Sequence, residues 1–164
     1  MSSDKRVSHE FPPVFDERSR VLILGTIPSP KSREQGFYYM HPQNRFWRML
    51  CAVLGEDIPT DIEGRRQMCL AHGIALWDVL ESCEIEGASD SSIKSAKPND
   101  LGRIFGAANI KAVFTTGKKA QALYCRFFGD CLPEAICLPS TSPANRTISE
   151  AEMLEQYRRI AEFL

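Results

Sequence analysis

Residues 21–25, VLILG, constrain the fold more than any other stretch: four apolar side chains in a row, two of them aliphatic β-branched, closed by glycine. A strand with no polar alternation must be covered on both faces, which calls for helices on both sides of a sheet rather than a half-solvated hairpin. Residues 74–79 (IALWDV), 110–116 (IKAVFTT) and 135–138 (AICL) repeat that character, and helical patterning lies between them. Phe46, Met49, Leu50, Val53 and Leu54 form a stripe that ends at Gly55, and further helices are expected over 61–72, 98–107 and 118–128. At the end of the chain Ser149 and Glu152 make a capping box ahead of the stripe Met153, Leu154, Tyr157, Ile160, Ala161 and Leu164. Strands alternating with helices predict an α/β sandwich around a mostly parallel sheet of about four strands. With 164 residues the chain suits one domain, read here as residues 20–164 behind an N-terminal extension, 1–19. Ligands in such sheets bind at the carboxyl ends of the strands, so the loops after Gly25, Val79, Thr116 and Leu138 are the places to look.

Composition narrows the classes. Hydrophobic residues make up 43% and charged residues 25%, the balance of a folded soluble domain. The apolar runs are far shorter than the ~20 residues that cross a bilayer. Residues 1–20 carry four acids and four bases and no apolar core, unlike a secretory signal, so a cytoplasmic location is expected, with no membrane contact. Six cysteines stand at 51, 69, 83, 125, 131 and 137 with no C-x-x-C pair, which favours reduced thiols over a zinc or iron–sulfur site. No phosphate-binding glycine loop, G-x-S-x-G elbow or H-E-x-x-H pair is present, and no cofactor is expected. The net charge is −1, yet residues 31–48 hold four bases against one acid (+3) and residues 94–126 hold seven against one (+6). On one face these segments would form a phosphate-binding surface; on separate faces they are ordinary solvated lysines and arginines.

Two loops carry the remaining chemistry. Residues 26–43 (TIPSPKSREQGFYYMHPQ) contain three prolines and a glycine without a steady period, and residues 139–145 (PSTSPAN) form a second turn cluster. Amide, hydroxyl and aromatic groups dominate both, which suits an uncharged planar ligand. Tyr38, Tyr39, Phe46 and Trp47 can stack on a base or anchor the loop in the core; Asn44 can orient a water or cap the following helix. Of the three histidines, His41 lies in a site loop, whereas His9 and His72 read as solvated or capping side chains.

GTIPSPKS after a buried strand, GFYYMHPQNRFW, GIALWDVLESCEIEG with SDSSI, and LPSTSPAN before the last helix together resemble the hypoxanthine (deoxyinosine) DNA glycosylases of the uracil-DNA glycosylase superfamily. The resemblance spans about residues 20–164 and implies a three-layer α/β/α fold with a four-stranded, mostly parallel sheet. It also implies hydrolysis of the N-glycosidic bond of a flipped, deaminated base in DNA, with hypoxanthine favoured, by a monomer that needs no metal. By that resemblance Gly25, Thr26, Ile27, Pro28 and Ser29 form the base-pocket wall with Tyr39, Phe46 and Thr116. The motif lacks the Asn or Asp that many relatives place there, and the catalytic carboxamide falls instead on Asn44 of HPQNRFW. Ser140, Thr141, Ser142, Pro143, Ala144 and Asn145 correspond to the loop that enters the duplex, with Lys31 and Lys118 contacting DNA. A base-reading Asn near the end of the third strand is replaced by Thr115 or Thr116.

Three other readings stay open on the residues alone: a uracil- or mismatch-specific glycosylase, a noncatalytic nucleic-acid or nucleoside binding module of the same fold, and a small hydrolase with Ser29, Ser140 or a cysteine as nucleophile. The last lacks a histidine at a recognisable spacing. Because neither the cysteine spacings nor the carboxylates offer a ligand set, activity is expected to survive EDTA; loss on chelation, restored by one specific metal, would contradict this.

Overall fold

The computed structural model describes residues 5–9, 11–85 and 92–164, so most of the SDSSI block lies outside the described residues. In chain order the elements are β1 (Lys5–Ser8), β2 (Val21–Gly25), α1 (Pro30–Gln35), α2 (Phe46–Leu54), α3 (Ile62–Ala71), β3 (Ile74–Asp78), β4 (Leu80–Ile85), β5 (Lys94–Pro98), α4 (Gly102–Phe105), β6 (Ala112–Thr116), α5 (Lys118–Phe128), β7 (Ala135–Leu138) and α6 (Glu150–Tyr157), which tightens into a 3-10 turn over Arg158–Phe163. Four strands form an all-parallel sheet in the order β3-β2-β6-β7. Helices flank it, giving the three-layer α/β/α sandwich. Val21, Ile23 and the two leucines of β2 are fully buried, as their unbroken apolar run requires.

Several elements depart from the sequence expectation, each for a local reason. The long loop after β2 contains α1: Ser29 accepts the Ser32 N–H (3.2 Å), Pro30 takes the first turn where no amide is needed, and Gly36 closes the helix at φ +76°. The helix expected over 98–107 shrinks to α4: Pro98 ends β5, Asn99 is held by the Asp78 and Leu80 carbonyls, and Asp100 Oδ1 accepts the Gly102 N–H where the helix begins. Residues 110–111 precede β6 instead of belonging to it. In the last helix Ser149 accepts the Glu152 N–H (3.2 Å) as expected, and Met153, Tyr157 and Ile160 are buried. The 3-10 pitch of three residues then turns Ala161 to solvent.

A second sheet was not legible beforehand. β1, β4 and β5 form an antiparallel sheet in the order β1-β4-β5, with Lys5 opposite Ile85 and Ser8 opposite Ser82. Residues before 20 thus supply a strand, and Val14 bridges Leu76 at the edge of the parallel sheet. The two sheets meet at one residue, Val79. Val79 donates to the Gly25 carbonyl (2.8 Å) and Leu80 to the Thr26 carbonyl (3.1 Å), so the β2–β3 ladder continues while the chain leaves for β4.

Asn99 clamps that junction. Its buried amide donates to the carbonyls of Asp78 (2.9 Å) and Leu80 (3.1 Å), and its own N–H reaches the Val79 carbonyl (2.8 Å). Asn99→Ala strands two buried carbonyls and is expected to lower unfolding free energy by about 2 kcal/mol in a denaturant titration; an unchanged midpoint would show that water replaces the amide.

Candidate active site

Strand register decides which side chains meet at the carboxyl edge of the sheet. Gly25 pairs with Asp78 and Leu24 with Thr115, which brings Asp78 and Thr116 to either side of Gly25. A methyl group placed on Gly25 would lie 2.5 Å from Asp78 Oδ1, 3.2 Å from the Tyr39 hydroxyl and 3.5 Å from Thr116 Oγ1. Glycine is required by that crowding, not by its φ. Three side-chain oxygens therefore converge on one point, the floor of a cavity of about 310 Å³. Its walls come from the loop after β2, from Asn44, and from the loop after β7.

Tyr39 is held there under strain. Its φ of +56° is rare for a bulky side chain, and such outliers persist only where surroundings enforce them. Here the ring stacks on Phe46 (centroids 3.8 Å apart, 17° between planes), the hydroxyl meets Thr116 Oγ1 at 3.2 Å, and the next amide, that of Met40, donates to the buried Ser32 hydroxyl at 3.0 Å. Burial pushes the Tyr39 phenol well above its ordinary pKa, and the Asp78 carboxylate adds to the shift. The phenol thus stays protonated, able to donate, through neutral and alkaline pH.

Most of the residues singled out from sequence do converge. Gly25, Thr26, Ile27, Pro28, Ser29, Tyr39, Asn44 and Thr116 line the cavity, as do Ser140, Thr141, Ser142, Pro143 and Ala144 across from them. Phe46 does not reach it: the residue is fully buried on α2 and supports Tyr39 from behind. Thr115 is turned away, its hydroxyl donating to Gln121 Oε1. Asn145 also lies outside the lining. Its amide donates to the Ser140 carbonyl (2.9 Å) while Arg45 grips the Asn145 and Ile148 carbonyls (2.7 and 3.2 Å), so both build the loop from within. Lys31 and Lys118 are not cavity residues; Lys31 sits near Glu34 (3.5 Å) and Lys118 is exposed at the start of α5.

Asn44 lines the cavity but is not the N-cap of α2; that position belongs to Arg45, which makes no side-chain cap bond. Asn44 stands one residue earlier, and its Oδ1 accepts the Phe46 N–H (2.9 Å), the first amide of the helix. A carbonyl oxygen has two lone pairs, so this bond orients the amide without exhausting it. The serines are otherwise employed: Ser29 Oγ caps α1 and lies 3.2 Å from Ser32 Oγ, while Ser140 Oγ accepts the Ser142 N–H (3.2 Å). His41, the cavity's histidine, accepts the Gln43 N–H on Nδ1 (3.1 Å) and pairs with neither serine among the described contacts.

Asp78 and His9 escaped the sequence reading. Asp78 is only 4% exposed, lines the cavity, and meets His9 Nε2 at 2.8 Å through Oδ2. The signal for Asp78 was a lone acid ending the apolar run IALW at the carboxyl edge of a strand, where the ligand rule applies. For His9 there was none, since the strand just before it, β1, pairs with residues more than seventy positions away.

Comparison with known proteins matches residues 12–163 to the model of the uracil DNA glycosylase superfamily. A hypoxanthine DNA glycosylase of Methanosarcina acetivorans is 33% identical over 146 residues, which cover 88% of this chain and 92% of that protein. A hypoxanthine DNA glycosylase of Methanosarcina barkeri is 38% identical over 112 residues, 67% of this chain and 71% of the relative. In fold the chain resembles a Methanosarcina acetivorans protein solved by solution NMR as a candidate uracil DNA glycosylase, with a TM-score of 0.74, 31% identity, and coverage of 92% of this chain and 96% of that one. With the parallel sheet, the cavity at its carboxyl edge and a family match over nearly its whole length, the chain belongs to the uracil DNA glycosylase superfamily.

Proposed function

We propose that this protein is a monofunctional DNA glycosylase that hydrolyses the N-glycosidic bond of a deaminated base, hypoxanthine in deoxyinosine, and so begins base excision repair. The observation that carries the reading is convergence: Gly25–Ser29, Asn44 and Ser140–Ala144, far apart in sequence, share the walls of one cavity. The names borne by the relatives support the same substrate.

Cleavage develops oxocarbenium character on the sugar and negative charge on the departing base. An amide is too weak a base to deprotonate water at neutral pH, so the role of Asn44 is to hold a water beneath C1′ through its free Oδ1 lone pair. Backbone N–H groups near Ser29 and the protonated phenol of Tyr39 face the leaving base, and phosphates of the DNA stabilise the sugar cation. The base must leave the stack to enter, and the exposed tip at Ala144 with Pro143 fills the space it vacates. Lys31 and Lys118 contact backbone phosphate. The protein works as a monomer on cytoplasmic DNA.

Strand scission at abasic products, with duplexes carrying deoxyinosine or deoxyuridine, tests the reading directly; no scission of either would leave a binding module. Asn44→Ala is expected to cut the single-turnover rate on deoxyinosine by roughly 10²- to 10³-fold, the loss typical of one preorganised polar group. If the residue merely holds the first amide of α2, the change costs about 1 kcal/mol of stability and spares the rate. Asn44→Ser separates the two, since serine can accept that amide but its oxygen is too short to reach the same water. It should fold normally and be almost inactive, and normal turnover by it would sink the assignment.

A further inference from the structure

The cavity floor holds an acid that the catalytic account leaves idle. Asp78 presents Oδ1 beside Gly25, while its other oxygen is held from behind by His9 at 2.8 Å. His9 is brought there by the N-terminal segment: β1 pairs with β4, and the His9 N–H extends that contact to the Glu81 carbonyl (2.7 Å). Its ring is enclosed by Phe11, Tyr38 and Trp77, with centroids at 4.6, 5.6 and 6.5 Å, and its side chain is 2% exposed. Tyr38 is fixed in turn by donating to the Pro12 carbonyl (3.0 Å). Among the described residues His9 Nδ1 has no hydrogen-bond partner. A carboxylate can only accept, so the hydrogen of the ring must sit on Nε2 and point at Asp78.

We propose that Asp78 is the specificity-determining group of this pocket and that His9 is its positioning residue: the pair presents an acceptor-only oxygen that reads the ring N–H created by deamination. This rests on the glycosylase reading above and adds how the base is chosen. Adenine carries a lone pair at N1; its deamination product, hypoxanthine, carries N1–H and a neighbouring carbonyl. A fixed carboxylate oxygen accepts from the second and repels the first. The Tyr39 hydroxyl, when Thr116 supplies the hydrogen of their shared bond, can donate to the carbonyl, which adenine replaces with an amino group. Selection requires that Asp78 not rotate, since a turned carboxyl would no longer aim Oδ1 at the ring N–H. The Nε2–H of His9 prevents this by holding Oδ2 at 2.8 Å.

The test uses the full chain and two readouts. Free hypoxanthine and adenine are titrated into ¹⁵N-labelled protein, and single-turnover excision is measured on deoxyinosine duplex. The intact protein should bind hypoxanthine in preference to adenine, and the ¹⁵N shifts of His9 should report an Nε2–H ring. His9→Leu should reduce that preference by roughly 10- to 100-fold, the weight of a hydrogen bond to a charged group. His9→Gln, whose Nε2 can occupy the same place and donate to the same oxygen, should restore most of it, which a purely structural contact would not predict. Asp78→Asn should bring the two bases toward equal affinity, because an amide can turn either face to the ligand.

A folded His9→Leu protein with undiminished preference overturns the proposal. If that variant fails to fold, Asp78→Asn decides, and unchanged preference in it is equally fatal. Normal excision of hypoxanthine with unaffected selectivity in these variants removes the proposal and leaves the glycosylase reading standing. Conversely, His9-dependent selectivity for hypoxanthine without any bond cleavage supports the proposal and removes the glycosylase reading.

Discussion

The pairing of β2 with β3 governs the rest of the molecule. A strand buried on both faces has no water to satisfy its backbone, so every amide and carbonyl must find a neighbour, and slippage by one residue would leave groups unpaired. That demand locks Gly25 opposite Asp78 and carries the ladder on to Val79 and Leu80. The cavity is a by-product of this lock. Where β2, β3 and β6 end together, their last side chains face outward from the sheet edge with no strand to cover them, and the loops that follow become the walls.

The loop that forms one wall owes its shape to small anchors. Ser29 starts α1, Gly36 ends it, and the buried hydroxyl of Ser32 accepts the Met40 amide, which fixes the chain just past the strained Tyr39. The opposite wall is organised by Arg45, whose guanidinium reaches two carbonyls of the loop after β7 and whose amide donates to a third, that of Thr141 (3.1 Å). Arg45 follows Asn44 directly. The residue that sets one wall is thus covalently tied to the residue proposed to hold water between both, and the two walls cannot drift independently.

Legibility of the fold followed the range of the interactions involved. Buried parallel strands announce themselves by composition, and Ser149 with Glu152 or the stripe of α2 follow from spacing of three and four residues, so the parallel sheet and its principal helices were readable. The antiparallel sheet was not, because Lys5–Ser8 and Lys94–Pro98 are polar edge segments whose partner lies far away in sequence. The site divided along the same line. Residues carried by loop motifs, such as Ser29, Asn44 and Ser140, could be named from sequence. Phe46 could not be separated from a pocket residue, since an aromatic at the first position of a helix looks the same whether it faces a ligand or backs a tyrosine that does. Asp78 and His9 needed strand register before they could be seen together.

The passage from one sheet to the other at Val79 makes the antiparallel sheet a lever. Asn99, just past β5, grips the main chain of Asp78, and Arg6 of β1 reaches both the Ser82 hydroxyl (2.8 Å) and the Ser95 carbonyl (3.3 Å) across the three strands. The height at which the acid stands in the cavity is therefore set by contacts made outside it. Any survey that collects only pocket-lining positions will record these distant polar residues as surface variation, although Asn99 holds the main chain that carries the carboxylate and Arg6 ties together the strands beside it.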